Sequence, residues 1–263
     1  MKVQLVKLSL VLLILCCASQ VNAQNTKQEV LTIHSDSWMP FNGDPKAKDR
    51  GYIIDLVTEI YEPLGIKIEY TITPWTRSLI LCEEGKINAV VGAADVDVPG
   101  FVLPEQALDF TYEAFFKLKD NPWVYDGSID SLASQKLGYI IDYATRPDVL
   151  AYFAKHKKTD KVQLVGGNKP LKQNINKLIH GRISVLLENA NVVKYHLKKM
   201  NLSEDIVFAG NLYENAFNMY IAFSPKHPKS QVYADIFDKG FRELKANGRV
   251  NEIRAKYGMS LLD

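Results

Sequence analysis

The side chains with the clearest chemical potential are two arginines and two acids at the ends of predicted helices and strands. Arg77 lies at the start of a predicted helix two residues after Trp75, which combines aromatic packing with a fixed positive charge. Arg146 precedes a second helix, and Asp95 and Glu188 each follow a strand. Because arginine pairs with carboxylates and acids accept amines, these residue types favour capture of a small polar solute.

Signatures of familiar enzyme sites are absent from the sequence. The five histidines are dispersed, and His-Glu-x-x-His, Gly-x-Ser-x-Gly, the phosphate loop and the dinucleotide fingerprint are all missing. Beyond residue 23 the only cysteine is Cys82, which excludes an intrachain disulfide there and is interpreted as a small core residue. We therefore predict no catalytic residues, no metal site and no cofactor.

Residues 1–23 are typical of an export signal. Two lysines precede the apolar run Leu8–Ala18, which is shorter than the about 20 residues of a membrane span, and Val21-Asn22-Ala23 offers small residues for cleavage. We predict a periplasmic protein released by cleavage. Lipid attachment at Cys16 or Cys17 is the less favoured alternative.

The charge balance excludes some classes of partner. The sequence has 32 Lys and Arg against 30 Asp and Glu, and the predicted signal holds two lysines and no acid, so the rest of the chain is balanced. Nothing in this balance suggests nucleic acid or an anionic membrane surface as a partner. We expect a monomer that binds neither.

The rest of the chain alternates strand-like and helix-like segments, which predicts an α/β fold with mainly parallel strands. Strands are predicted at residues 30–34, 66–72, 87–91, 136–141, 162–165, 183–187 and 206–209. Helices are predicted at residues 53–64, 74–84, 147–155, 171–180, 191–200, 230–247 and 250–256.

Two extended apolar segments, residues 114–118 and 217–223, bracket the second half of this pattern. If both are hinge strands, the first lobe holds residues 24–113 and 224–263, and the second holds 119–216. Paired crossings of this kind can absorb a large rotation of one lobe against the other.

A crevice is predicted from four short signals that follow one another between Ile33 and Gly92. They are Ser35–Phe41, Gly51–Leu56, Pro74–Arg77 and Gly85–Gly92. Together they form a strand–loop–helix–strand–helix–strand unit whose loops carry Asp36, Trp38 and Trp75. This layout favours binding of a small molecule over catalysis.

These residues resemble the family 3 periplasmic solute-binding proteins, which deliver polar amino acids to ABC transporters. The resemblance covers almost the whole chain after residue 23. It rests on Asp36, Pro40-Phe41, Gly51–Leu56, Trp75, Gly85–Ala89, Leu108–Thr111, Gly181-Arg182, Asn247-Gly248, Ile253 and Tyr257-Gly258. It implies the periplasmic binding protein-like II fold, two lobes that close over a solute and no cofactor.

The binding pattern departs from that family in informative ways. Family members that bind amino acids have Thr-x-x-x-x-Arg after the strand matched here by Ala89–Gly92, and the arginine holds the ligand carboxylate. Here Asp95 stands near the threonine position and Gly100 near the arginine position. The acid that binds the ligand ammonium aligns with Asn189, and Glu188 precedes it.

Substitutes for this pattern are available in both halves of the chain. The loop carrying Tyr143, Thr145 and Arg146 matches the family's anion-binding turn at a helix start. We therefore expect Arg77 or Arg146 to hold a ligand carboxylate, and Asp95 or Glu188 to accept an amine.

Three functions remain open at this point. The first is delivery of a small polar solute to an ABC permease, or to a membrane sensor kinase if the protein signals. The second is a periplasmic enzyme on the same fold, similar to cyclohexadienyl dehydratase, which needs Asp95 and Glu188 at one cavity and a raised pKa. The third is an interaction module without transport.

Overall fold

The structure is a computed structural model that describes residues 28–141, 143, 145–167, 169–214, 216–260 and 262. The export signal predicted at residues 1–23 lies outside these ranges. Among the helices of the described residues, none has the length and apolar character needed to cross a membrane.

The strands follow the predicted alternation closely. They are β1 Glu29–Ser35, β2 Ile66–Ile72, β3 Ala89–Ala93, β4 Asp109–Thr111, β5 Glu113–Leu118, β6 Leu137–Ile140, β7 Val162–Val165, β8 Val185–Asn189, β9 Ile206–Asn211 and β10 Phe217–Phe223. The predictions for residues 66–72 and 162–165 are confirmed to the residue.

The helices also follow the prediction. They are α1 Tyr52–Tyr61, α2 Trp75–Glu83, α3 Pro147–His156, α4 Pro170–Ile179, α5 Ala190–Met200, α6 Ser230–Ala246 and α7 Arg249–Lys256. Helix α1 is shorter than predicted, because Glu62–Leu64 forms a 3-10 turn. Pro63 lacks the backbone N–H that would continue the α-helical pattern.

The strands form two five-stranded sheets with the same internal arrangement. The first has the order β2-β1-β3-β10-β4, and the second has the order β7-β6-β8-β5-β9. In each sheet the first three strands are parallel, while the last two pairings are antiparallel. In each sheet four strands therefore run in one direction, as the predicted mainly parallel sheets require, and the one opposed strand, β10 or β5, enters from the other sheet.

The chain crosses between the sheets twice. It first passes from β4 in the first sheet through Tyr112 to β5 in the second, and later returns from Asn211 at the end of β9 to Phe217 at the start of β10. The predicted hinge strands 114–118 and 217–223 thus each lie within one sheet. The chain passes between the sheets only in the short links that adjoin these strands. The residue boundaries of the two lobes stay a prediction.

Helices α1 and α6 cover the first sheet, and their contact explains a glycine. Ile53, Val57 and Ile60 are among the seven buried residues of α1. A Cβ atom at Gly240 of α6 would lie 2.7 Å from Cγ2 of Ile60, so a larger residue would force the two helices or the Ile60 side chain to shift. The two helices form one side of the first lobe, which here means the first sheet and its helices.

A buried ion pair joins the last helix to the strand that precedes the first crossing. The Arg254 guanidinium of α7 contacts the Asp109 carboxylate of β4, and both side chains are almost fully buried. The same guanidinium lies 5.3 Å from the ring centre of Tyr52. The far end of the chain therefore anchors the edge of the first sheet beside the hinge.

Candidate binding site

A cavity of about 230 Å³ lies between the two sheets, and the topology explains which residues line it. Carboxyl ends of parallel strands face one edge of a sheet, where α/β proteins bind ligands. The ends of β1, β3 and β6 lead into loops at this cavity, and β8 contributes its last two residues, Glu188 and Asn189. Strands β5 and β10 run the opposite way, so they contribute the residues at which they begin, Glu113 and Phe217.

Most of the residues predicted to bind ligand lie around this one cavity. Their role as ligand contacts stays a prediction. The predicted residues that line the cavity are Asp36, Trp38, Trp75, Asp95, Tyr143, Thr145, Glu188 and Asn189.

The two arginines expected to hold a carboxylate lie elsewhere. Arg77 is exposed on α2, and burial together with the charge of Arg77 lowers the pKa of His34. Arg146 pairs with Asp148, and its Nη1 donates a hydrogen bond of 2.6 Å to the carbonyl of Leu212. In this arrangement neither arginine is placed as the carboxylate clamp that we expected.

The loop after β1 presents Asp36 and Trp38 to the cavity. Asn42 donates a hydrogen bond of 2.6 Å to the backbone carbonyl of Asp36, and Trp38 packs on the buried ring of Phe41 at 4.8 Å between centres. Across the cleft, the Tyr143 hydroxyl donates a 2.6 Å hydrogen bond to Oδ2 of Asp36. Burial raises the pKa of Asp36, while this hydrogen bond lowers it.

Glu188 is the most deeply buried acid of the cavity, with 3% of its surface exposed. Its Oε1 accepts hydrogen bonds from the backbone N–H of Asn189 at 2.7 Å and from Nε1 of Trp38 at 3.4 Å. Within the described residues, its Oε2 has no hydrogen-bond partner. Burial raises the pKa of Glu188 to about 7.

Glu113 is a second buried acid, which the sequence did not reveal. Its carboxylate accepts hydrogen bonds from the hydroxyls of Tyr139 at 3.3 Å and Thr145 at 3.1 Å. Burial and then the charge of Glu188 raise the pKa of Glu113 to about 8. Glu113 pairs with Asn189 in the sheet, because β5 runs antiparallel to β8 and begins where β8 ends.

Asp95 and Asp97 form the rim of the cavity after β3. Oδ1 of Asp95 accepts a hydrogen bond of 2.8 Å from the backbone of Val96, and Oδ2 of Asp97 accepts one of 3.1 Å from the backbone of Ala94. Burial raises the pKa of Asp97. The side chains of both acids therefore stabilise the turn in which they lie.

Asn189, predicted at the ammonium-binding position, caps a helix. Its Oδ1 accepts hydrogen bonds from the backbone N–H groups of Asn191 at 2.9 Å and Val192 at 3.2 Å, at the start of α5. Asparagine is among the preferred residues at this position because its side chain satisfies N–H groups that lack helical partners. The local role of Asn189 is thus structural.

Several cavity residues were missed at the sequence level. Asp97, Glu113, Tyr213 and Phe217 also line the cavity. Three of them flank the crossings: Glu113 starts β5, Tyr213 follows β9 and Phe217 starts β10. Their position beside the two apolar strands could have identified them, because a strand that enters from the other sheet begins at the cleft.

No group of three or more His, Cys, Asp or Glu side chains in the described part of the chain is placed to hold a metal ion.

Comparison with known proteins gives structural matches. No protein-family model and no curated protein matches the sequence. A Streptococcus mutans structure from work on glutathione import via GshT and the cystine ABC importer TcyBC has a TM-score of 0.75 at 16% identity, over 90% of this chain and 98% of that one. The fold is that of the periplasmic binding proteins.

Two further structures share this periplasmic binding fold. An ABC uptake transporter substrate-binding protein from Streptococcus pneumoniae with bound histidine has a TM-score of 0.69 at 16% identity, over 87% of this chain and 92% of that one. A histidine kinase sensor domain has a TM-score of 0.67 at 18% identity, over 88% and 96%. In this fold, the cavity described above occupies the cleft between the lobes.

Proposed function

We propose that this protein is a periplasmic receptor that captures a small polar solute by closing its two lobes. The observation that carries the proposal is the pair of hydrogen bonds across the cleft, Tyr143 to Asp36 and Trp38 to Glu188. Each bond joins a loop of the first sheet to a residue of the second, directly at the cavity. These contacts belong to a closed arrangement.

The mechanism follows from this geometry. A ligand in the cavity contacts residues of both lobes only while they are together, so binding shifts the population towards the closed form. The short links at Tyr112 and between Asn211 and Phe217 are the segments that would rotate. A membrane partner would then recognise the closed form.

The partner and the location follow the same proposal. The signal-like residues 1–23 and the fold favour release into the periplasm and delivery of the solute to an ABC permease. The protein of Streptococcus pneumoniae with the same fold is described as belonging to an ABC uptake transporter. A membrane sensor kinase is the alternative partner, since a histidine kinase sensor domain also shares the fold.

Ligand-dependent stability tests the proposal. The protein without residues 1–23 would be heated with each member of a panel of amino acids, organic acids and amines. A ligand at 100 times its Kd adds about 2.7 kcal/mol to the free energy of unfolding, which raises the melting temperature by several degrees. If no panel member stabilises the protein, the receptor function is contradicted.

A second candidate is an enzyme that transfers protons. It is favoured by one observation: Asp95 and Glu188 line the same cavity, and the pKa of Glu188 is raised to about 7. A protonated Glu188 could act as a general acid near neutral pH. Incubation with each stabilising compound, followed by mass spectrometry, separates the two, because a receptor returns its ligand unchanged.

A further inference from the structure

The charges of the cavity are of one sign. Among the described residues that line it there are five acids and no lysine, arginine or histidine: Asp36, Asp95, Asp97, Glu113 and Glu188. A ligand carboxylate would meet repulsion here without a guanidinium to offset it. A positively charged ligand would instead be attracted by these acids.

Several backbone donors at the cavity are already used by the protein's own side chains. The N–H groups of Val96 and Ala94 donate to Asp95 and Asp97, and the N–H of Asn189 donates to Glu188. The first N–H groups of α5 donate to the side chain of Asn189. Anion sites at helix starts depend on free N–H groups, and at the start of α5 the side chain of Asn189 occupies them.

Glu188 supplies an acceptor that lacks a donor. It is 97% removed from solvent, and its Oε2 has no hydrogen-bond partner within the described residues. Leaving a buried carboxylate oxygen without a donor is costly. An ammonium group in the cavity would supply that donor and would also relieve the repulsion between Glu188 and Glu113.

Aromatic side chains complete the lining. Trp38, Trp75, Tyr143, Tyr213 and Phe217 all border the cavity. The faces of such rings attract cations, with an energy that grows when water is excluded. The volume of about 230 Å³ limits the ligand to a small molecule, below the range typical of drug-sized ligands.

From these observations we propose that the ligand is a small organic cation that carries an amine and no carboxylate. The proposal rests on the proposed receptor function and names its substrate class. Glu188 and Glu113 would accept the ammonium N–H groups, and the aromatic walls would pack on the carbon chain. A neutral or zwitterionic α-amino acid would lack the partner for its carboxylate.

Four-carbon probes test this directly by isothermal titration calorimetry at about pH 8.5, where the raised acids are ionised. The probes are 1,4-diaminobutane, butylamine, 4-aminobutyrate and butyrate, which differ only in their end groups. We expect measurable binding of the diamine, weaker binding of the monoamine and no binding of the other two. Binding of 4-aminobutyrate or butyrate in preference to the amines would overturn the proposal.

A variant sharpens the test. Glu188→Gln keeps the shape of the side chain and removes its charge, so diamine affinity should fall at least tenfold. Glu105→Gln is the matched control, since that side chain is 85% exposed and should leave affinity unchanged. Equal affinity in Glu188→Gln and wild type would contradict the role of Glu188, and the wild-type probe series decides the ligand class even if the variant is insoluble.

The outcomes distinguish a failure of the proposed cation ligand from a failure of the proposed receptor function. If amino acids stabilise the protein and amines do not, the receptor function stands and the cation proposal fails. If neither amines nor any member of the wider panel stabilises it, both fail.

Discussion

The hydroxyl of Tyr143 lies 2.6 Å from Oδ2 of Asp36, although the two residues are 107 positions apart in the sequence. Asp36 follows β1 of the first sheet, and Tyr143 follows β6 of the second. The bond therefore spans the cleft and lies at the cavity that both residues line. Its contribution to closure can be measured.

Tyr143→Phe should weaken closure. The variant removes the donor to Asp36, and hydrogen bonds to charged groups contribute about 1.5–3 kcal/mol, so ligand affinity should fall about tenfold or more. Small-angle X-ray scattering of the ligand-free variant should also give a larger radius of gyration. Tyr125→Phe is the control, because its hydroxyl donates to Gly127 within the second lobe; equal behaviour of the two variants would contradict this account.

Stability should depend on the ionisation of Glu113. Its pKa rises from 4.5 to about 8 on folding, so the folded state holds this proton more tightly than the unfolded chain. The free energy of unfolding should therefore fall as the pH rises through this range, and the raised pKa of Glu188 acts in the same direction.

Glu113→Gln tests this sign. Urea unfolding should show a smaller loss of stability between about pH 5 and pH 8 than in wild type, and a more stable protein at the upper end. The hydroxyls of Tyr139 and Thr145 can each donate or accept, so the amide can be accommodated. An unchanged pH profile would exclude a raised pKa at Glu113.

Cation affinity should rise with pH. A bound ammonium favours the ionised form of the acids, so binding releases protons from Glu113 and Glu188. The other titratable groups that interact with these two acids are Asp36, Asp97, Tyr139, Tyr143 and Tyr213. Near a pKa of about 7, lowering the pH by one unit should weaken 1,4-diaminobutane binding up to about tenfold. Calorimetry in buffers of different ionisation enthalpy measures the protons released, and zero release would contradict the prediction.

The ion pair of Arg254 and Asp109 should be essential for stability. Arg254→Met leaves the Asp109 carboxylate buried without its partner, which typically costs 3–5 kcal/mol, so the expected loss is about that size in urea unfolding. Adding Asp109→Asn should recover part of the loss. Arg242→Met, which removes an exposed contact with Glu105, should cost no more than about 1 kcal/mol.

The element pattern could be predicted well because it depends on local rules. Apolar spacing places α1 and the strand at Ile66–Ile72, and the glycine and proline positions mark where helices stop. The hinge was less predictable. Sequence shows that residues 114–118 and 217–223 are extended and apolar, but which sheet each joins depends on pairing with distant strands.

The residues of the candidate site could likewise be predicted only in part. Asp36 and Trp38 could be predicted from a loop after a strand, and Glu188 from the end of another. The role of Arg146 could not be predicted from the sequence, because its guanidinium forms local hydrogen bonds with Asp148 and with the carbonyl of Leu212. Asn189 likewise has an ordinary local function as a helix cap, which alignment by position does not reveal.

The sequence alone is thus enough to predict a two-lobed α/β fold and a cleft lined by loops, since alternation and turn residues act over short distances. The resemblance to amino-acid receptors also predicts Gly100 near the position where those receptors have an arginine. The negative charge of the cavity is determined only by the tertiary structure. There the antiparallel course of β5 brings Glu113 beside Glu188, and burial of both acids turns a polar cleft into a candidate site for a cation.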